Sequence, residues 1–467
     1  MTTLIALLFA VFGFGIGLAR LADNSFLWHL QTGRLILDSG IPREDPFSFT
    51  AAGTPWIAQS WLAELLYGVL DRSVLGAFGI RLLAAAATAA VALLAFRLAL
   101  RIARDRFRAA SVALVSLAGL LTIWSPRPLL FGVLALVVTL WAVEAPRSWV
   151  GRRPEWVLPL LLWGWANVHG SFVLGFAYLG LHLVGRWTEG APPWRDREGR
   201  LLMGAGLGAV AVFLNPYGIR LVLFPFDLLA RGDVLGRIKE WQSPSFTSLQ
   251  GRVLAVWLAT VLVVLARGRT RPGRRDVVVV VPFVLLAFWA QRNIAVAPLV
   301  ALPVVARAVR AEADRPDERS PVGWAIVAVL LAAALGLGVQ AAGEPDFALG
   351  AHPVEAMGAV EDAGLLGARL LADDGWGGYL ILAYWPEQLV FIDDRYDMYP
   401  EELSEDYFAL QDGGSGWEEV LDRYDVEAVL WEADRPLAAL LDQAEGWERL
   451  HADDQAVVYV RRDVASG

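Results

Sequence analysis

AFGIRLLAAAATAAVALLAF, residues 77–96, runs directly into RLALRIARDRFR, residues 97–108. The first stretch is apolar over about the 20 residues that a helix needs to cross the ~30 Å hydrocarbon core of a bilayer. The second sets Arg97, Arg101, Arg104, Arg106 and Arg108 against its C-terminal end. An apolar run closed by arginines reads as a membrane span whose last turn faces the cytoplasm, because short cytoplasmic loops are enriched in Lys and Arg.

The pattern repeats on both sides of this segment. Apolar runs at 2–18, 109–124, 128–143, 156–168, 171–185, 200–214, 252–266, 276–290, 294–309 and 322–342 bring the expected spans to about eleven. The 2–18 run has no basic n-region and no small-residue cleavage site, so it reads as a span and not as a signal peptide. The shortness of 156–168 and 171–185 points to tilted or broken helices. Arginines return after every second run, at Arg147/Arg152/Arg153, Arg186/Arg195/Arg197/Arg200, Arg267/Arg269/Arg271/Arg274/Arg275 and Arg307/Arg310/Arg315/Arg319. These loops and the N-terminus are therefore expected in the cytoplasm, and an odd number of spans puts the tail outside. The expected location is a bacterial cytoplasmic membrane, with the C-terminal domain extracytoplasmic.

Composition and charge agree with this layout. Of 467 residues 56% are hydrophobic, there is no cysteine, and the mean hydropathy is +0.47. Disulfides and thiolate metal sites are excluded. From residue 345 onward 28 acidic residues face 7 basic ones, whereas the first 344 residues hold 21 acidic and 33 basic. The expected division is a transmembrane domain at 1–343, with a long first outer loop at 21–76 and another at 215–251, and a soluble acidic α/β domain at 344–467. An acidic tail argues against a nucleic-acid partner, which needs a basic footprint.

Within the tail, strand patterns at 378–384, 389–392, 426–431 and 456–461 alternate with helical stretches near 353–364, 401–411, 416–424 and 436–445, predicting a mostly parallel sheet.

Polar residues outside the arginine loops concentrate on the side assigned to the exterior. The first loop carries Asp23 immediately after the first run, Trp28 and His29 on a short amphipathic helix that Gly40-Ile41-Pro42 ends, Asp45-Pro46, and a second helix from Ser60 to Leu70 bearing Trp61 and Glu64. Arg127, Asn167, His169, Glu240, Trp241, Arg292 and Asn293 sit at run ends or in loops on the same side. An ionisable or amide group at membrane depth is a functional candidate by default. A carboxylate at the exit of a span is placed to deprotonate a nucleophile at the bilayer boundary. The plainer readings are a headgroup-layer anchor for Asp23, belt tryptophans, and turn chemistry for Asp45-Pro46 and Asn215-Pro216-Tyr217-Gly218.

Asp23-x4-Trp28-His29-x3-Gly33, Pro42-x2-Asp45-Pro46-Phe47-Ser48, Asn167-x-His169-Gly170, Asn215-Pro216-x-Gly218, Glu240-Trp241 and Trp376-Gly377-Gly378-Tyr379…Phe391-Ile392-Asp393-x-Arg395 resemble the motifs of a group of bacterial GT-C-like membrane proteins. The order of span, long outer loop opened by Asp, interfacial helices, polytopic body and outer domain resembles the GT-C superfamily as a whole. Its members are glycosyltransferases that use polyprenyl-phosphate sugars. The resemblance implies a polytopic fold and a polyprenyl-phosphate-linked sugar donor in contact with membrane lipids. It implies Asp23 as catalytic base with His29 and Asp45 assisting, and Arg127 and Arg292 as phosphate binders. Trp28, Asn167, His169, Glu240, Trp241 and Asn293 join the expected substrate-binding set. The first loop lacks the adjacent acidic pair many members carry, and Asp45 is its second acid. A divalent metal, used by some members, stays open. A transporter or flippase, or a non-catalytic envelope assembly protein, are the alternatives to an enzyme; one-sided polarity favours the enzyme.

Overall fold

A computed structural model describes residues 1–122, 124–268, 270–312 and 321–465, with the backbone alone for 321–324 and 465. Residue 123 of the 109–124 run, and Arg269, Arg315 and Arg319 among the orienting arginines, lie outside the described residues.

Each apolar run folds as a helix. The boundaries extend to Thr2–Gly17, Gly76–Ala103, Arg106–Leu121, Leu129–Glu144, Pro154–Val168, Phe172–Thr188, Asp196–Ala211, Leu249–Arg267, Arg274–Trp289, Val296–Ala308 and Pro321–Ala342. Among the described residues, Gly76–Ala103, Leu249–Arg267 and Ala325–Ala342 are long and apolar enough to cross a membrane, and Thr2–Gly17 and Leu129–Glu144 are shorter apolar helices. Pro154–Val168, with 15 residues, reaches only about 23 Å at 1.5 Å per residue.

The chain divides into two compact units. The first comprises residues 1–19, 73–229 and 235–346, and it is helical. Glycines set its closest contacts: a Cβ on Gly17 would overlap the backbone of Ala85, and one on Gly13 the backbone at Thr88 and Ala89. This close approach joins the Thr2–Gly17 and Gly76–Ala103 helices. Four charged groups inside the unit form one paired cluster. Glu144 accepts from Arg275 and from Arg307 at 2.9 Å, and Asp276 holds the same two arginines at 3.0 and 2.7 Å.

The second unit comprises residues 20–72, 230–234 and 347–467. The first loop thus folds together with the tail. Strands β1 (Leu370–Ala372), β2 (Ala428–Glu432), β3 (Trp447–Ala452) and β4 (Ala456–Arg461) form one sheet in the order β1-β2-β4-β3. Only β1 and β2 run parallel; β2–β4 and β3–β4 are antiparallel. The sheet is therefore mixed, and the expectation of a mostly parallel one is corrected: β3 leads into β4 through a short turn, which only an antiparallel pair allows.

Two expected strands are absent from this sheet. Residues 378–384 belong to the helix Asp374–Tyr384, which Asp373 caps by accepting the Gly375 N–H. A short apolar run carries no period that separates strand from helix. Residues 389–392 bridge to the first loop instead, with Val390 N–H donating to Phe47 O at 3.0 Å and Phe49 N–H to Val390 O at 3.1 Å.

The glycines of the motifs have steric work. A Cβ on Gly33 would overlap Glu64 O, and one on Gly68 would overlap Gly33 O, so the helices Asn24–Ser39 and Trp61–Asp71 touch backbone to backbone. A Cβ on Gly378 would overlap Asn24 O, and one on Gly377 the Asp393 side chain.

Candidate functional site

In the second unit the charges are arranged around one buried cation, Arg395, which is 1% exposed. It donates to Asp393 through Nε at 2.9 Å and Nη2 at 2.6 Å, and its Nη1 lies 2.9 Å from Asp45 Oδ1. Aromatic rings close around it: its guanidinium carbon is 4.6 Å from the Trp56 ring centre, 4.9 Å from Phe47 and 5.9 Å from Trp28. A buried guanidinium is tolerable only when acids and ring faces replace its hydration. Asp45 is committed to this role. Its carboxylate also accepts from the N–H groups of Phe47 and Ser48 at 3.2 and 3.0 Å, which is the turn chemistry of Asp45-Pro46.

Trp28 and His29 lie beside this cluster. Trp28 Nε1 donates to Asp394 Oδ1 at 2.6 Å, and Ser25 donates to the other oxygen of Asp394. The His29 ring packs on Trp28 with centres 3.6 Å apart. Its Nδ1 is 2.7 Å from Glu64 Oε1. Glu64 is 1% exposed and its Oε2 has no hydrogen-bond partner. Burial pushes the Glu64 carboxyl well above the ordinary range, against the opposing pull of Arg395.

Asp23 starts the Asn24–Ser39 helix as its N-cap, with Oδ1 accepting Phe26 N–H at 3.0 Å. A carboxylate offers about four acceptor positions, so capping leaves capacity for a second donor. Its charge acts on Tyr67 and on His352. His352 is 4% exposed, with Nδ1 buried and unpartnered, and burial lowers its pKa.

At the carboxyl ends of β1 and β2 the sequence places Asp373, Asp374 and Glu432. Asp374 accepts from the hydroxyls of Tyr407 at 2.9 Å and Tyr396 at 3.0 Å. Burial, with Asp374 and Glu432 adding to it, pushes Asp373 up to about 7. Asp397, also buried, is pushed up to about 7 with Arg395 opposing.

The first unit assembles a different set. Arg127 Nη1 is 2.7 Å from Glu240 Oε1, and the Arg292 guanidinium stacks 4.3 Å over the Trp241 ring. Gln291 Nε2 donates to Lys239 O at 3.1 Å, which ties the segment bearing Arg292 to the turn bearing Glu240 and Trp241. His169 is extended between the helices Pro154–Val168 and Phe172–Thr188, and its Nδ1 is 2.9 Å from Ser171 Oγ. Asn167 and Asn293 use their amides locally, donating to Trp163 O at 2.8 Å and Leu286 O at 3.1 Å. Four of the seven expected residues in this unit, Arg127, Glu240, Trp241 and Arg292, thus come together, while the two asparagines hold backbone.

Among solved structures, that of ArnT from Cupriavidus metallidurans bound to undecaprenyl phosphate matches 100% of this chain and 98% of its own, with a TM-score of 0.52 and 15% identity. The chain has the GT-C fold. The expectation drawn from the sequence motifs is met at that level. A weaker likeness, with a TM-score of 0.48 and 14% identity over 98% of this chain and 41% of the other, is to the arabinofuranosyltransferase AftD from mycobacteria. No protein-family model matches the sequence, and neither does any curated protein.

Within this GT-C fold, sequence reasoning passed over Glu64 as a partner for His29, and over Asp373, Asp374 and His352. The signal for Glu64 was Gly33, whose spacing to His29 puts both on the helix face that meets Trp61–Asp71. Among the described residues no group of three or more His, Cys, Asp or Glu is placed to hold a metal ion.

Proposed function

We propose that the protein is a membrane glycosyltransferase that moves a sugar from a polyprenyl-phosphate donor to an acceptor on the extracytoplasmic side. The observation that carries this reading is the pair of guanidiniums in the first unit, on a fold shared with a protein whose structure holds undecaprenyl phosphate. Arg127 is neutralised by Glu240, and Arg292 is held flat on Trp241. The donor's phosphodiester in place of the Glu240 carboxylate keeps a charge-assisted contact with Arg127 and gains Arg292 as a second donor, and the polyprenyl phosphate monoester left after transfer holds the same contacts.

In the reaction the acceptor attacks the anomeric carbon, the bond to the phosphate oxygen breaks, and polyprenyl phosphate departs. The two arginines stabilise the charge that grows on that oxygen. Asp23 takes the acceptor proton, with His29, oriented by Glu64, assisting; Asp45 acts through Arg395 by fixing the Trp28 surroundings. His169 and Trp241 contribute to the donor side.

The orientation proposed has the N-terminus in the cytoplasm and residues 347–467 outside. The test is sugar transfer from polyprenyl-phosphate donors by purified protein. Arg127→Ala with Arg292→Ala should lower turnover by at least about a hundredfold, and Asp23→Asn should do the same. Full activity in Asp23→Asn removes Asp23 from the mechanism; full activity in the arginine pair removes the proposed donor site.

A further inference from the structure

Four further arginines in the first unit gather at a cavity that the proposed reaction does not use. The cavity has a volume of about 330 Å³ and is lined by Arg97, Arg101, Arg147 and Arg152 together with Trp141 and Trp149. A second cavity of about 280 Å³ shares Arg97, Arg101 and Trp141 with the first. Each volume is near the lower end of the range for ligand pockets.

Arg97 and Arg101 come from the last two turns of Gly76–Ala103, one helical turn apart and therefore on one face. Arg147 and Arg152 come from the turn between Leu129–Glu144 and Pro154–Val168. No acidic side chain lines either cavity. Among the described residues none forms an ion pair or hydrogen bond with these four guanidiniums, and Arg101 alone has a stacking partner, 5.4 Å from the Trp141 ring centre. Arg186, Arg275 and Arg307 of the same unit are each paired with two acids, whereas the four cavity arginines are exposed and are set apart by converging on one hollow. Four uncompensated cations around one hollow form a site for a multiply anionic group.

The walls indicate what carries that group. Leu94 and Val138 line the cavity beside the Trp141 ring, and apolar surface dominates its interior. Trp149 is 77% exposed, as expected for an indole at the level of lipid headgroups. A ligand that fits has phosphate at one end and hydrocarbon at the other. The site is separate from Arg127, because Arg127 and Arg147 flank opposite ends of the 16-residue helix Leu129–Glu144, about 24 Å long.

We infer that this cavity binds the headgroup of an anionic phospholipid, with phosphate on Arg97, Arg101, Arg147 and Arg152 and the glycerol and upper acyl chain against Leu94, Val138 and Trp141. Arginine suits this task because its planar fork binds phosphate bidentately, and basic pockets between transmembrane helices take such headgroups. The inference does not depend on the proposed sugar transfer.

The experiment is native mass spectrometry of the full chain, stripped of lipid in detergent and titrated with phosphatidylglycerol or phosphatidylethanolamine. The wild type should retain phosphatidylglycerol about tenfold more tightly than phosphatidylethanolamine. The variant Arg97→Gln/Arg101→Gln/Arg147→Gln/Arg152→Gln should lose that preference at unchanged thermal unfolding temperature. The variant Arg267→Gln/Arg271→Gln, which removes cations that line neither cavity, should keep it. Absence of a preference in the wild type overturns the inference, and so does equal loss in the two variants, which would mean general attraction to basic loops. Full competition by soluble glycerol 3-phosphate at the lipid's own concentration overturns it too, since the site would then take free phosphate esters and not lipid. Should the fourfold variant unfold, Arg97→Gln/Arg147→Gln replaces it, with at least a threefold loss of preference expected and an unchanged preference counting against the site.

Discussion

His29 Nδ1 sits 2.7 Å from Oε1 of Glu64, a carboxyl that burial holds toward its protonated form. A protonated Glu64 donates to Nδ1, which leaves the imidazole neutral with its proton on Nε2. Glu64 thereby acts as a positioning residue for His29. Glutamine donates in the same place, so Glu64→Gln should keep turnover within about threefold and leave the pH profile unchanged. Glu64→Ala removes the donor and opens a buried hole; it should lower turnover about tenfold or more and destabilise by about 2–3 kcal/mol. Equal losses in both variants, read from turnover against pH, would mean that Glu64 works as an anion.

The buried trio Asp45, Arg395 and Asp393 makes a second prediction. Removing one member of a buried ion cluster leaves the others uncompensated, at a cost of about 3–5 kcal/mol. Arg395→Met should show that loss in thermal unfolding of the purified chain. A stability within about 1 kcal/mol of wild type would mean that Asp45 and Asp393 take up protons at no cost.

Asp373 gives the unit a pH dependence with a definite sign. Its folded pKa, about 7, is above the ordinary carboxylate value of 3.8, so the folded protein binds the extra proton between those values. Its stabilising effect is fully present below about pH 4 and is lost as pH rises through 7, at up to about 1 kcal/mol per pH unit. Asp397 adds a similar slope. Unfolding temperatures between pH 5 and pH 8 should therefore fall, and Asp373→Asn should flatten part of that fall. An identical slope in the variant would contradict the assignment.

Glycine substitutions separate close approach from mere flexibility. Gly378→Ala places a methyl group into Asn24 O and should destabilise by about 1–3 kcal/mol, whereas Gly164, with nothing within 4 Å of its added Cβ, should tolerate alanine at a few tenths of a kcal/mol or better. Comparable unfolding temperatures for the two variants would argue against the Asn24 contact.

The eleven expected helices of the first unit were legible as apolar runs punctuated by arginines, whereas Ile219–Ala230, inside the expected 215–251 loop, was not. The GT-C fold was legible from motif order. The site was only partly so. Asp23, Trp28, His29, Asp45 and Arg395 stand out as residues, but no local period says that residues 47–49 pair with 390, or that the Asp45 side chain is wholly buried against a guanidinium 350 positions on. The segment 378–384 was read as strand because its apolar run has no turn residue inside it. Gly378, its first residue, lets the helix lie against Asn24, and that partner is distant in sequence. Glu64 was visible as a residue of an amphipathic helix, while its pairing with His29 depends on the packing angle that Gly33 and Gly68 permit.

The second unit draws on residues 20–72, 230–234 and 347–467. Its first piece therefore leaves the ribosome some 275 residues before the last piece begins, an interval of about 14–55 s at 5–20 residues per second. Throughout it, the helix Asn24–Ser39, whose Phe26, Leu27 and Leu30 are each 0% exposed in the finished protein, has its partner Trp61–Asp71 but lacks Asp374–Tyr384. Until then the face of that helix which meets the tail stays uncovered, and truncation before residue 347 would leave it so permanently.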